Sequence, residues 1–169
     1  AIDPATGAVT FTPEPSFKGQ AKGVEVKVSV TATDSEGNKV EVTSSGDYTP
    51  EVEAVEPTAE PKKTSGKQGQ PQTQDTTTMF KEGDTTAPIE KSTIKLVDPT
   101  GAEVTTLPAT KDGKTVGTYT IDPTTGVITF QPNKDFTGTP EPAKVVAADK
   151  NGTKGETTYT PTVTPVEPD

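Results

Sequence analysis

Cysteine, histidine, arginine and tryptophan are all missing from this 169-residue chain. Without cysteine there is no disulfide and no thiolate metal site. Without histidine the usual general base and the commonest metal ligand are gone. Without arginine, bidentate recognition of phosphate or carboxylate by a guanidinium is excluded. A net charge of −9 with no basic patch argues against binding nucleic acid through its phosphates. Hydrophobic residues make up only 27 %, so any core is thin and the composition lies near that of disordered chains. No apolar run is long enough for a membrane span or a signal peptide, so no membrane contact by this segment is expected.

The residues that are abundant belong to strands and turns. Threonine occurs 34 times, with 15 glycines and 17 prolines. The most informative stretch is Tyr119 to Pro132, YTIDPTTGVITFQP. Tyr119 and Ile121 alternate with threonines before a turn, and Ile128 and Phe130 alternate with Val127 and Thr129 after it. A period of two places one apolar row on one face of a strand pair. Asp122, Pro123 and Gly126 supply the turn: proline sets φ, aspartate accepts backbone hydrogen bonds, and glycine permits φ > 0. This predicts a β-hairpin.

The same pattern occurs near the start as IDPATGAVTFTP, residues 2 to 13. Asp3, Pro4, Gly7, Phe11 and Pro13 match Asp122, Pro123, Gly126, Phe130 and Pro132 at one constant offset. Phe17 and Gly19 match Phe136 and Gly138. Asp34 and Gly37 match Asp149 and Gly152, and Tyr48-Thr49-Pro50 matches Tyr159-Thr160-Pro161, each with a small drift that falls in loops. An internal repeat governs the fold. Residues 1–55 read as the C-terminal half of a preceding repeat, so the chain reads as a piece of something longer. Residues 56–77 read as a polar linker and the start of the next repeat, and 78–169 as a complete β-sandwich-like repeat. About seven short strands at intervals near ten residues are expected there. The fold class is therefore all-β, tandem β-sandwich-like modules with no substantial helix.

In residues 1–55, Val24, Val26, Val28 and Val30 alternate with Glu25, Lys27 and Ser29, and Val40 and Val42 form the return strand. Residues 1 to 60 carry 4 lysines and 11 acidic residues; the bland reading is solvated surface. The expected core is Tyr119, Ile121, Ile128, Phe130, Phe136 and Tyr159. The expected turn residues are Asp122, Pro123, Gly126, Asp149, Asn151 and Gly152. Tyr159 is expected to pack into the end of the sandwich, with Pro161 stopping the ladder.

Chemical sites are scarce. Asp149-Lys150-Asn151-Gly152 and Asp34-Ser35-Glu36-Gly37 offer too few oxygens for calcium and lack a downstream bidentate glutamate, so plain turns are expected. No nucleophile–base pair exists without histidine or cysteine, and no enzyme, cofactor or metal site is expected. A lysine–asparagine or lysine–aspartate isopeptide bond would suit an extracellular chain without cysteine, but no spacing identifies the pair.

The pattern GTYTIDPTTGVITFQPNKDFTGT, followed by AADKNG and YTPTV and preceded by SGKQGQPQ, resembles the CshA-type fibril repeat of streptococcal cell-wall-anchored fibrillar surface adhesins. The likeness covers residues 64–163 as one unit. It implies an extracellular, Gram-positive cell-surface stalk module that carries no catalytic residues and projects an adhesive region from the cell wall. The implied partners are neighbouring repeats of the same chain and, through the parent adhesin, a host extracellular matrix protein. A second reading is a repeat that itself binds a matrix protein through an exposed strand edge.

Overall fold

Alternating apolar residues and glycine-closed turns build strands in both halves of the chain. In the computed structural model, which describes residues 1–168, the secondary structure is 51 % strand and 4 % helical. The chain divides into two compact units, Ala1–Ala54 and Val55–Asp169.

The first unit is a small one with four strands. It holds β1 (Gly19–Gln20), β2 (Val24–Thr33), β3 (Lys39–Tyr48) and β4 (Glu51–Val52). β2 and β3 form a ten-residue antiparallel hairpin, in register from Val24↔Tyr48 to Thr33↔Lys39. β1 and β4 pair over two residues, and Ile2 and Val9 make an isolated bridge. The alternation puts Val24, Val26, Val28 and Val30 on one face with Val40, Val42 and Tyr48. No residue of this unit is buried.

The second unit comprises β5 (Thr58–Ala59), β6 (Lys62–Lys67), β7 (Gln72–Asp75), β8 (Phe80–Lys81), β9 (Lys95–Val97), β10 (Glu103–Val104), β11 (Thr106–Lys111), β12 (Lys114–Ile121), β13 (Val127–Pro132), β14 (Ala143–Ala148) and β15 (Lys154–Thr164). Two single 3₁₀ turns, Thr76–Thr78 and Lys91–Thr93, interrupt them. One sheet has the order β10-β9-β14-β15-β6 and the other β11-β12-β13-β7. The chain changes sheet at Thr105, between β10 and β11. The β11–β12 hairpin turns through Asp112 and Gly113, both at positive φ (52° and 79°), as a tight two-residue turn requires.

The two sheets share one core. β12 and β13 contribute Tyr119, Ile121, Ile128 and Phe130; β9, β14 and β15 contribute Leu96, Val145 and Tyr159, while Met79 and Ile94 close the ends. Tyr119 pairs directly across from Phe130, with ring centroids 5.1 Å apart. It meets Tyr159 of the opposite sheet edge-on at 6.2 Å, within the range where aromatic pairs attract beyond their buried area.

Residues 56–77, expected as a polar linker and the start of the next repeat, carry β5, β6 and β7, which lie in the second unit. Strand pairing uses backbone groups that every residue has, and β6 and β7 are edge strands that owe the core few apolar side chains. Pro161, expected to stop the ladder, is buried in the middle of β15, which runs on to Thr164 in parallel register with β6. Pro161 shares its parity with Val163, whose N–H donates to Gly138 away from β6. The missing proline N–H therefore faces the side where β14 has ended, and no ladder bond is lost.

Candidate functional site

Threonine and aspartate do most of the local work at the turns. Asp122 Oδ1 accepts from the Thr124 and Thr125 N–H groups at 2.8 and 3.3 Å, and Gly126 N–H closes the loop onto Asp122 O at 2.8 Å. Gly126 sits at φ 74°, and a Cβ there would lie 3.1 Å from Thr77 and 3.3 Å from Thr76. The buried Thr76 hydroxyl and N–H both donate to the Gly126 carbonyl, so the hairpin turn is clasped by the 3₁₀ turn that follows β7. Pro123 lies exposed at the head of the turn. Backbone N–H bonds hold the Asp122 carboxyl below its ordinary range, and the Thr100 hydroxyl does the same first for Asp98.

Asp149 behaves differently from Asp34, its repeat partner. Both accept two backbone N–H groups: Asn151 and Thr153 for Asp149, Glu36 and Asn38 for Asp34. Asp34 is exposed, whereas Asp149 is 2 % exposed and bridged to Ile89, with its Oδ2 buried and without a partner. Gly152 closes that turn at φ 81° beside the half-buried Asn151. Among the described residues no group of three or more acidic side chains is placed to hold a metal ion.

Of the expected core residues, Tyr119, Ile121, Ile128, Phe130 and Tyr159 are buried, and Phe136 is half-buried against the same cluster. Tyr119 OH donates to the Glu141 carbonyl at 2.9 Å. Tyr159 OH lies 2.6 Å from Thr64 Oγ1, which itself donates to Gln72 Oε1 at 2.6 Å and so accepts from the tyrosine. Gln72 Nε2 then donates to Thr162 O at 2.9 Å. This relay ties β6, β7 and β15 together, and Gly66 leaves room for it: a Cβ there would lie 2.9 Å from Gln72 Cγ. Burial pushes the Tyr119 and Tyr159 hydroxyls above their ordinary pKa. Sequence reasoning missed Thr64, Gln72 and Thr76, because polar residues in a polar stretch carry no periodic signal.

The lysine amines that find partners take glutamate carboxylates or backbone carbonyls. The ion pairs are Lys62–Glu60, Lys144–Glu156 and Lys154–Glu103, all on the surface. Among the described residues none pairs with aspartate or asparagine.

The surfaces that remain are strand edges and grooves. One outer edge of each sheet in the second unit carries lysine or proline: β6 reads KKTSGK, and β11 carries Pro108 and ends on Lys111. Lysine and proline at an edge oppose pairing with another strand. A groove of about 550 Å³ lies among Val97, Pro99, Leu107, Pro108, Pro142 and Lys144. The first unit is the reverse. Val24, Val28, Val30 and Val42 are each more than half exposed, and both outer edges of its long hairpin are open. A cavity of about 400 Å³ is lined there by Ile2, Val9, Phe11, Val24, Val26 and Tyr48.

Compared with known families, the chain matches the family model described as the surface adhesin CshA repetitive domain over residues 1–52 and 54–163. No curated protein matches the chain. No helix is long and apolar enough to cross a membrane among the described residues.

Proposed function

The chain belongs to the CshA-repeat family, the repetitive domain of a surface adhesin, and from that premise we propose that it is a non-catalytic stalk element. In this reading tandem modules project an adhesive region from a Gram-positive cell wall, to which the parent protein is anchored. Neighbouring repeats of the same chain are its direct partners, and a host extracellular matrix protein is reached through the parent. The observation that carries the reading is the compact core that the second unit builds from its own strands. It buries one core, and one edge strand of each sheet, β6 and β11, carries lysine or proline. A module of that kind repeats without sticking to its copies, and the net charge of −9 adds repulsion between neighbouring fibrils.

The open β2 and β3 edges favour a second reading, in which a repeat itself takes up a strand of a matrix protein. Surface binding of the full chain to immobilised matrix proteins separates the two. The stalk reading expects no saturable binding. Saturable binding that is abolished when β2 carries Val28→Lys would replace it with the second reading. Small-angle scattering on chains of two, three and four tandem copies provides an independent check. A stalk adds a constant increment of maximum dimension per copy; a dimension that levels off rejects it.

A further inference from the structure

Tension along a chain enters a folded unit through its outermost strands, so the pairing of those strands decides what the load must break. In the second unit β6 is the first strand of the two core sheets and β15 is the last, and they are paired with each other. They run parallel over six registered pairs, from Lys62↔Tyr159 to Lys67↔Thr164. The chain enters this ladder at Lys62 and leaves it at Thr164, which lie at its opposite ends. A pull on the two ends slides β6 along β15, and every pair of a ladder about 20 Å long resists together. Two strands loaded from the same end would instead peel apart one pair at a time.

Bonds beyond the regular ladder oppose the same slip. Gln68 N–H donates to Thr164 O at 2.8 Å, and Thr164 Oγ1 donates to Gly66 O at 3.2 Å. Tyr159, Thr64 and Gln72 join β15 to β6 and β7 through their side chains, and Gln72 Nε2 returns to Thr162 O. β15 is also held on its other side. β14 pairs with it from Ala143↔Tyr159 to Ala148↔Lys154. Past the end of β14, Gly138 and Val163 exchange N–H to O bonds of 2.8 Å in both directions. Ahead of β6, β5 adds only two pairs to β8.

We propose that the second unit is a tension-bearing element and that the β6–β15 ladder is its shear clamp. β6 reads KKTSGK and brings no large apolar side chain, so the clamp resists through backbone pairs and the polar relay, not through the core. Load must break this ladder before the core behind it can open. That gives the polar stretch from Lys62 to Asp75 a task that its composition does not show. The use of such a clamp on the cell rests on the stalk reading; the resistance itself is a property of the ladder.

The test is single-molecule force spectroscopy on the full chain. The chain has no cysteine, so introduced cysteines fix the pulling points. Glu60→Cys with Val166→Cys loads the ladder from opposite ends, and Gln70→Cys with Val166→Cys loads it from one end. All three positions are exposed. Lifetimes at one constant force are normalised to each variant's own unfolding rate without load, so a change in stability does not enter. The proposal expects the normalised lifetime to be at least about tenfold longer in the first geometry, because forced unfolding is set by the unfolding rate in the direction of the pull. The second unit should also lengthen there in a single step. Equal normalised lifetimes in the two geometries overturn the clamp, and so does a β6 that slips stepwise before the unit gives way. Because force is read and not array dimension or matrix binding, the clamp can fail while the stalk reading stands, and a stalk refuted by scattering leaves these lifetimes unchanged.

Discussion

Replacing Gln72 with alanine tests whether residues 56–77 are structural. Gln72 is 5 % exposed on an edge strand, and it bridges the Thr64 hydroxyl and the Thr162 carbonyl. Truncation removes both hydrogen bonds and leaves the Thr162 carbonyl without its side-chain donor, while Thr64 keeps Tyr159 as a partner. A buried polar group left unsatisfied costs about 1–3 kcal/mol, and each lost hydrogen bond costs about 0.5–1.5 kcal/mol net. The expected loss is therefore about 2–4 kcal/mol, a large share of the ~5–15 kcal/mol that holds a domain together. For a unit of this size that corresponds to roughly 8–16 °C in Tm. Thermal and urea unfolding followed by circular dichroism read it directly, and tyrosine fluorescence gives a second probe because the chain has no tryptophan. Thr64→Val combined with Gln72→Ala should show coupling of at least about 0.5 kcal/mol, as expected for members of one network. A Gln72→Ala chain within about 0.5 kcal/mol of the parent would place Gln72 in the class of ordinary surface positions and refute the relay.

Three further perturbations probe other parts of the second unit. Phe130→Ala empties a fully buried aromatic site and should cost about 3–5 kcal/mol in urea unfolding; an unchanged midpoint would remove Phe130 from the core. Gly126→Ala forces a side chain to positive φ against Thr76 and Thr77 and should cost about 1–3 kcal/mol. Gly101→Ala has φ 89° but open space, so it should cost less; equal losses would show that the Thr76 clasp adds nothing. The folded-state carboxyls of Asp75, Asp98 and Asp122 titrate below the ordinary 3.8, so their stabilisation is complete above that value and is lost as pH falls through their lowered values. Tyr119 and Tyr159 are raised, so their stabilisation is complete below pH 10.0 and is lost as pH rises beyond it. Tyrosinate absorbance from these two residues should appear together with loss of β circular dichroism; early ionisation with the fold intact would contradict their burial.

Everything governed by neighbours in sequence was legible. The Tyr119–Ile121 and Ile128–Phe130 rows follow from a two-residue period, and the Asp122-to-Gly126 loop follows from the φ preferences and acceptors of three residues. The internal repeat could be read the same way, because turn chemistry stays recognisable when strand residues change. Tertiary structure was needed to show that near-identical motifs have different surroundings: Asp149 is buried and Asp34 is not, and Gly126 is clasped and Gly7 is not. It also placed polar residues 62–75 at the margins of both sheets and carried β15 past Pro161. Those outcomes rest on backbone pairing and on hydrogen bonds that span long stretches of chain, such as Thr64 to Tyr159 across 95 residues. Backbone pairing is available to every residue type and leaves no mark on composition or period, so only the folded chain shows where it is made.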